Sequence, residues 1–284
     1  MVKKAKMKKT GLVLAGKRVL MPGFNITNFL DNPHLHLASG DVRRRSPWEQ
    51  EGIHLIVMHT TGGIPGGKDL RPQVIIPGTG LSSNAGERIV SSWSLDTDRP
   101  GGAALIIDFD CEIYCCTDLI LEAAYHAKAA NGCSVGIEIV QGKNAELYSK
   151  QLATAAKFTV ALCKILPTPI QLQIPLPYQA KPIKRFVDSQ KTNRPLFDVV
   201  GIVGHRDLTS SRGEGDPGDA IMKALSDRGC QSMDFEARGD ITIWKERQFF
   251  LGMTMCDGIP GKETVKALKI RGCKDGLWVN GNAK

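Results

Sequence analysis

Three short runs of aliphatic and β-branched residues constrain this chain most: Ile53 to His59 (IHLIVMH), Ser134 to Val140 (SVGIEIV) and Phe197 to His205 (FDVVGIVGH). Each has the length and composition of a strand. The first is bounded by Gly52 and by the turn-rich TTGGIPGG that follows, which marks a buried strand. A fourth stretch, Ala103 to Asp118, alternates, turns near Asp108 to Cys111 and alternates again, which predicts a hairpin. Residues 148–166 place Leu152, Ala155, Ala156, Val160, Leu162 and Cys163 on one helical face, and Pro167 ends that helix. Pro217 to Asp227 suits a second helix with Pro217 in its first turn. Strands separated by loops and helices predict an α/β fold, a mixed central β-sheet flanked by helices.

The remaining segments read as connections or additions. Residues 62–102 are rich in Gly, Pro and Ser and predict a long loop, with a short strand near Ile89 to Trp93. A proline-rich connection covers 167–182. Residues 1–50, with Lys3, Lys4, Lys6, Lys8 and Lys9 at one end and Arg43, Arg44 and Arg45 at the other, predict a basic extension that wraps or precedes the main domain. Asp240 to Lys269 predicts two helices joined by GMTMCDGIPG, so a small C-terminal helical appendage is expected.

Charge and cysteine usage narrow the setting. The 37 basic and 29 acidic residues give a net charge of +8, which suits a polyanionic partner. Aromatic residues make up only 6% and no basic stripe is interleaved with them, so nucleic acid is not the expected partner. No stretch reaches the length of a membrane span. The apolar run Gly11 to Gly16 is short, and Lys17 and Arg18 interrupt it, so no signal peptide is expected and synthesis in a cytoplasm is. The eight cysteines lack the paired C-x-x-C spacing of a zinc ribbon, and reduced, buried thiols are expected.

Three side chains have the makings of a metal site. His59 and His205 each end a predicted strand, and Asp216 follows in the constrained turn Gly215-Asp216-Pro217-Gly218. Strand ends are rigid and can hold two imidazoles at a fixed separation. Two His and one carboxylate with an open position describe a catalytic zinc site. Zinc chemistry on a carbonyl also needs a nearby proton acceptor. Glu138, the single charge inside the apolar run SVGIEIV, is the candidate, because an ionised carboxylate in such a strand needs a reason.

The order and context of these segments resemble the zinc-dependent N-acetylmuramoyl-L-alanine amidases, the family of phage endolysins, bacterial recycling amidases and animal peptidoglycan recognition proteins. Four stretches carry the resemblance: IVMHTTGG, LIIDFDCEIY, AAYHAKAANGCSVGIEIV and VGHRDL with the following DPG. They span about residues 53–222, and the combination is specific where each part is not. The resemblance implies a Zn2+ cofactor and bacterial peptidoglycan as partner. It also implies hydrolysis of the amide bond between N-acetylmuramic acid and L-alanine, after release or injection of the protein to the cell wall. Position by position it makes His59, His205 and Asp216 the zinc ligands and Glu138 the catalytic acidic residue. It makes Tyr125 and His126 a cleft-lining pair, with Thr60 beside them as a substrate contact. His126 reads equally well as a structural histidine.

The sequence departs from the family in three respects, one of them a spacing between the second and third ligands slightly stretched by the loop SSRGEG. Glu214 stands where members often carry an oxyanion-stabilising Lys, so Arg212 or Lys128 is the expected source of positive charge. Asp110-Cys111 replaces the usual Asp-Gly, which bears on the turn type. Residues 51–232 are thus the expected catalytic domain. Residues 238–284 resemble a reduced peptidoglycan-binding repeat, through Arg-Gln, Leu-Gly and Asp-Gly-Ile-x-Gly; a helical hairpin packed on the catalytic domain is the other reading. Two rival functions stand beside amide hydrolysis. A recognition protein that binds without cutting is favoured by Glu214 and opposed by the complete ligand set. A different zinc hydrolase is opposed by the absence of an H-E-x-x-H helix.

Overall fold

The computed structural model describes residues 11–61, 84–95, 101–141, 147–167, 170–175, 201–209 and 216–233. The first strands are β1 (Leu12–Leu14), β2 (Lys17–Val19), β3 (Asn25–Asn28) and β4 (Val42–Arg44). Helix α1 (Pro47–Glu51) leads to β5 (Leu55–Thr60), and α2 spans Ala85–Leu95. Strands β6 (Leu105–Ile107), β7 (Glu112–Cys115), β8 (Glu122–Ala124) and β9 (Ser134–Ile139) follow, and then helix α3 (Ser149–Ile165). The described chain closes with β10 (Gln173–Pro175), β11 (Gly201–Gly204), helices at His205–Leu208 and Asp219–Ser226, and β12 (Gln231–Met233).

Among the described residues, six strands form the central sheet in the order β11-β5-β9-β6-β7-β3. The first four run parallel; β7 is antiparallel to β6, and β3 is parallel to β7. This is the expected mixed sheet of an α/β fold. Every residue of β5 is buried: Leu55 to Met58 form an unbroken apolar run, as a strand covered on both faces requires, and His59 and Thr60 follow it.

The two faces of β5 and β9 have different covers. Ile56 and Met58 belong to the large core with Phe158, Leu162 and Cys163 of α3. The Thr159 hydroxyl lies 3.7 Å from the Met58 sulfur, and Gln151 of α3 donates to the carbonyls of Ile107 and Val140. Leu55 and Val57, which point the other way, pack with Ala127, Ala130, Cys133, Val203 and Leu208. His59 shares this second face, because side chains alternate along a strand. The 3-10 segment Lys128–Cys133 lies over it.

Several expectations need correction. Residues 11–44 are not an extension outside the domain: β3 is the edge strand of the central sheet, in register with β7 from Asn25 opposite Glu112 to Asn28 opposite Cys115. β4 pairs with β8. These strands are short and polar (NITN, VRR), and their partners are distant in sequence, so no local pattern announces them. The strand expected near Ile89 to Trp93 is part of α2; Ala85, Ile89 and Val90 are buried at helical spacing. The helix expected from Pro217 begins at Asp219. His205 opens a one-turn helix instead of ending its strand.

The hairpin of β6 and β7 is as expected, and Cys111 takes the left-handed φ of 69° that glycine adopts at no steric cost. Cys115, Cys116, Cys133, Cys163 and Cys230 are buried free thiols. Among the described residues no helix is long and apolar enough to cross a membrane. The expected C-terminal module, 238–284, lies outside the described residues.

Candidate active site

The candidate ligands are set by sheet register. His59 lies opposite Glu138 across the β5–β9 pair, and Gly204, the residue before His205, lies opposite Met58, the residue before His59, across β11–β5. Strands β5 and β9 thus present His59 and Glu138 side by side on one face, about 4.8 Å apart, and His205, the first residue of the helix that follows β11, brings its ring centroid to 4.6 Å from that of His59. Both His59 and His205 are buried.

Asp216 enters from the turn before the helix Asp219–Ser226. Its Oδ1 is 3.8 Å from His59 Nδ1 and its Oδ2 is 3.2 Å from His205 Nδ1. Two backbone bonds hold it in place: the amide of Thr60 donates to Oδ1 at 3.1 Å, and the amide of Arg206 donates to the Asp216 carbonyl at 2.6 Å. Gly204 permits this approach, because a Cβ there would stand 2.6 Å from Pro217 Cδ and 3.1 Å from Asp207 Oδ2. The Asp207 carboxylate accepts from the Gly204 amide at 2.7 Å, and burial pushes its pKa up to about 6.

One potential ligand atom from each of His59, His205 and Asp216 lies within 4.8 Å of the others. Donors around one tetrahedral ion with bonds of about 2.0–2.1 Å stand about 3.3 Å apart; the His205–Asp216 separation of 3.2 Å matches this, and the His59–Asp216 separation of 3.8 Å is somewhat longer. His205 Nδ1 is buried and has no hydrogen-bond partner among the described residues, although it faces a carboxylate oxygen. A cation held by both groups would give the buried His205 nitrogen its partner. The residues present therefore fit a divalent metal.

His126 sits behind His59. Its Nδ1 is 2.9 Å from His59 Nε2, and its Nε2 is 3.1 Å from the Ser134 hydroxyl. The two rings meet edge to face, with centroids 5.1 Å apart. Burial, with the nearby His205 and Arg45, holds His126 well below the usual histidine pKa. Asn131 Oδ1 accepts from the amides of His126 and Ala127 and so shapes the turn that carries the ring. Arg45 pins the same region from below. Its guanidinium donates to the carbonyls of Glu122, Asn131, Gly132 and Ser134.

The other expected residues divide. Tyr125 is partly buried beside His126, and Thr60 contributes the amide that holds Asp216. Lys128 is exposed at the start of the 3-10 segment. Arg212 and Glu214 lie outside the described residues. Sequence reasoning passed over Arg45, Asn131, Ser134 and Gly136. The signal for two of them was present: Ser134, Gly136 and Glu138 alternate along β9, which places them on one face with His59.

Comparison with known proteins shows a family. The family profile of the N-acetylmuramoyl-L-alanine amidases matches residues 49–219, which include all three candidate ligands, Glu138 and His126. Among solved structures, the catalytic domain of XlyA is 16% identical, covering 71% of this chain and 99% of that one, with a TM-score of 0.38. An AmpD derivative is also 16% identical, over 73% of this chain and 95% of that one, with a TM-score of 0.40. The Staphylococcus aureus hydrolase AmiA in complex with its ligand is 10% identical, over 74% and 86%, with a TM-score of 0.40. No curated protein matches the sequence. On the strength of the profile match alone, which spans more than half of its residues, the chain belongs to the N-acetylmuramoyl-L-alanine amidase family.

Proposed function

We propose that this protein is a catalytic, zinc-dependent amidase that hydrolyses the bond between N-acetylmuramic acid and L-alanine in peptidoglycan. The observation that carries the proposal is the convergence of His59, His205 and Asp216 beside Glu138, which is in register with His59. When bound, zinc supplies Lewis-acid polarisation of the scissile carbonyl and of water.

The chain's own residues do the rest. His59, His205 and Asp216 would hold the ion, and two imidazoles with one carboxylate leave a position open to solvent. The backbone bonds from Thr60 and Arg206 keep Asp216 oriented. Glu138, one strand away on the same face, takes a proton from the attacking water. As the carbon–nitrogen bond breaks and a carbon–oxygen bond replaces it, Glu138 returns that proton to the departing L-alanine nitrogen. Lys128 and Arg212 are the proposed sources of positive charge for the oxyanion, and Tyr125 and Thr60 the proposed substrate contacts.

Glu138→Gln tests the role assignment. Loss of the general base costs about 10²–10⁴-fold in kcat with bound zinc unchanged. Full activity in that variant with zinc retained would remove Glu138 from the mechanism. Tight wall binding without cleavage by the wild-type protein would assign recognition instead.

A further inference from the structure

The expected substrate contact at His126 leaves its position behind His59 unexplained. Both of its ring nitrogens are engaged by protein groups, so its polar atoms are not offered to a ligand in the groove. The chain of bonds has one direction. The Ala130 carbonyl only accepts, and Ser134 Oγ stands 2.6 Å from it, so the Ser134 hydroxyl proton goes to that carbonyl. Ser134 Oγ then receives a proton from His126 Nε2–H at 3.1 Å. A neutral His126 protonated at Nε2 carries its lone pair on Nδ1, which accepts from His59 Nε2–H at 2.9 Å. His59 is left with its lone pair on Nδ1, the nitrogen 3.8 Å from Asp216 Oδ1.

We propose that His126, aligned by Ser134, is a positioning residue that fixes the tautomer and ring orientation of His59, so that Nδ1 is presented to the metal. The proposal rests on the metal-site reading above and extends it to residues behind the ligand. Metal-bound histidines are usually oriented in this way by a carboxylate, a carbonyl or water on the second nitrogen. Here a second histidine does it, and a backbone carbonyl sets the polarity of the relay. Gly136 is part of the device: a Cβ at that position would stand 2.7 Å from both Cγ and Nδ1 of the His126 ring. Ser134 anchors the ring and Gly136 makes room for it, on the same face of β9 as Glu138.

The test uses the full chain and two readouts that do not depend on turnover. In metal-free protein with 15N-labelled histidine, long-range nitrogen–proton correlation spectra should show His59 protonated at Nε2 and bare at Nδ1. In His126→Ala the two His59 nitrogens should move toward averaged shifts. Zinc affinity, measured by competition with a chromophoric chelator, should fall about 10–100-fold in His126→Ala and recover to within about threefold in His126→Asn, whose Oδ1 can accept in place of Nδ1. Gly136→Ala keeps every hydrogen-bonding group but displaces the ring, so it should weaken zinc binding too. Combining it with His126→Ala should then add little further loss, because both act through one ring. A wild-type His59 protonated at Nδ1, or a His126→Ala affinity within about twofold of wild type, would overturn the proposal. A wild-type protein that bound no zinc would overturn the functional reading, whereas the His59 tautomer in the metal-free protein still decides this one.

Discussion

Replacing Arg45 with Met tests how the fold holds the site, because the cost follows from bonds in the structure. The Arg45 side chain is buried, and its guanidinium donates to four backbone carbonyls: Glu122 at 2.9 Å, Asn131 at 2.8 Å, Ser134 at 2.5 Å, and Gly132. Hydrogen bonds from a charged donor contribute about 1.5–3 kcal/mol each, so four at the lower end give about 6 kcal/mol. Burial opposes this, pulling the guanidinium pKa down to about 10. At 1.36 kcal/mol per pH decade, that depression from an ordinary value above 12 costs about 3 kcal/mol. The net is about 3 kcal/mol, and Met fills much of the volume, so little of the loss is cavity. For a domain of this size the expected fall in Tm is about 6–12 °C. Thermal and urea unfolding followed by circular dichroism measure it. Arg18→Ala is the control, since Arg18 pairs with Asp31 at 2.7 Å on the surface, where such pairs contribute about 0–1 kcal/mol. An Arg45→Met variant as stable as Arg18→Ala would refute the reasoning.

Two further stability effects follow from the structure. Phe158 is fully buried and meets Phe24 edge to face at 5.3 Å, so Phe158→Ala should cost about 3–5 kcal/mol in urea unfolding. Burial raises the pKa of Glu112; the Thr27 hydroxyl, 2.5 Å away, opposes the shift, and the charges of Asp110, Asp108 and Glu87 add to it. A carboxyl raised in the folded state contributes stability below its unfolded pKa, and that stability is lost as pH rises through the folded value. Glu112→Gln, which keeps an acceptor for Thr27, should therefore have a higher urea midpoint than wild type near pH ~7, and the gap should close near pH ~4. A gap that widened on acidification would contradict the assignment.

Much of the site was legible in the sequence because its residues end or interrupt strongly apolar runs. His59 and Glu138 stand out within IHLIVMH and SVGIEIV for that reason, and sheet register then brings them together. Helix α3 was equally plain, since its apolar positions repeat over 17 residues. What escaped depends on non-local contacts. β3 is a polar four-residue edge strand that only its pairing with β7 reveals. Arg45 looks like the last of three surface arginines, yet it is buried among carbonyls while its neighbour Arg44 is exposed. His126 read equally as a groove residue and as a structural histidine, because its sequence neighbours do not disclose that β9 carries a serine and a glycine beneath its ring.

The central claim is that a metal held by His59, His205 and Asp216 drives amide cleavage in peptidoglycan. The most direct measurement is release of L-alanine amino groups from purified peptidoglycan by wild-type protein, by chelator-treated protein, and by the latter after zinc is restored. Release that the chelator abolishes and zinc restores, with no new reducing sugar ends, is the expected result. Release that persists at full rate in the chelated protein, or sugar ends in place of amino groups, would contradict the account.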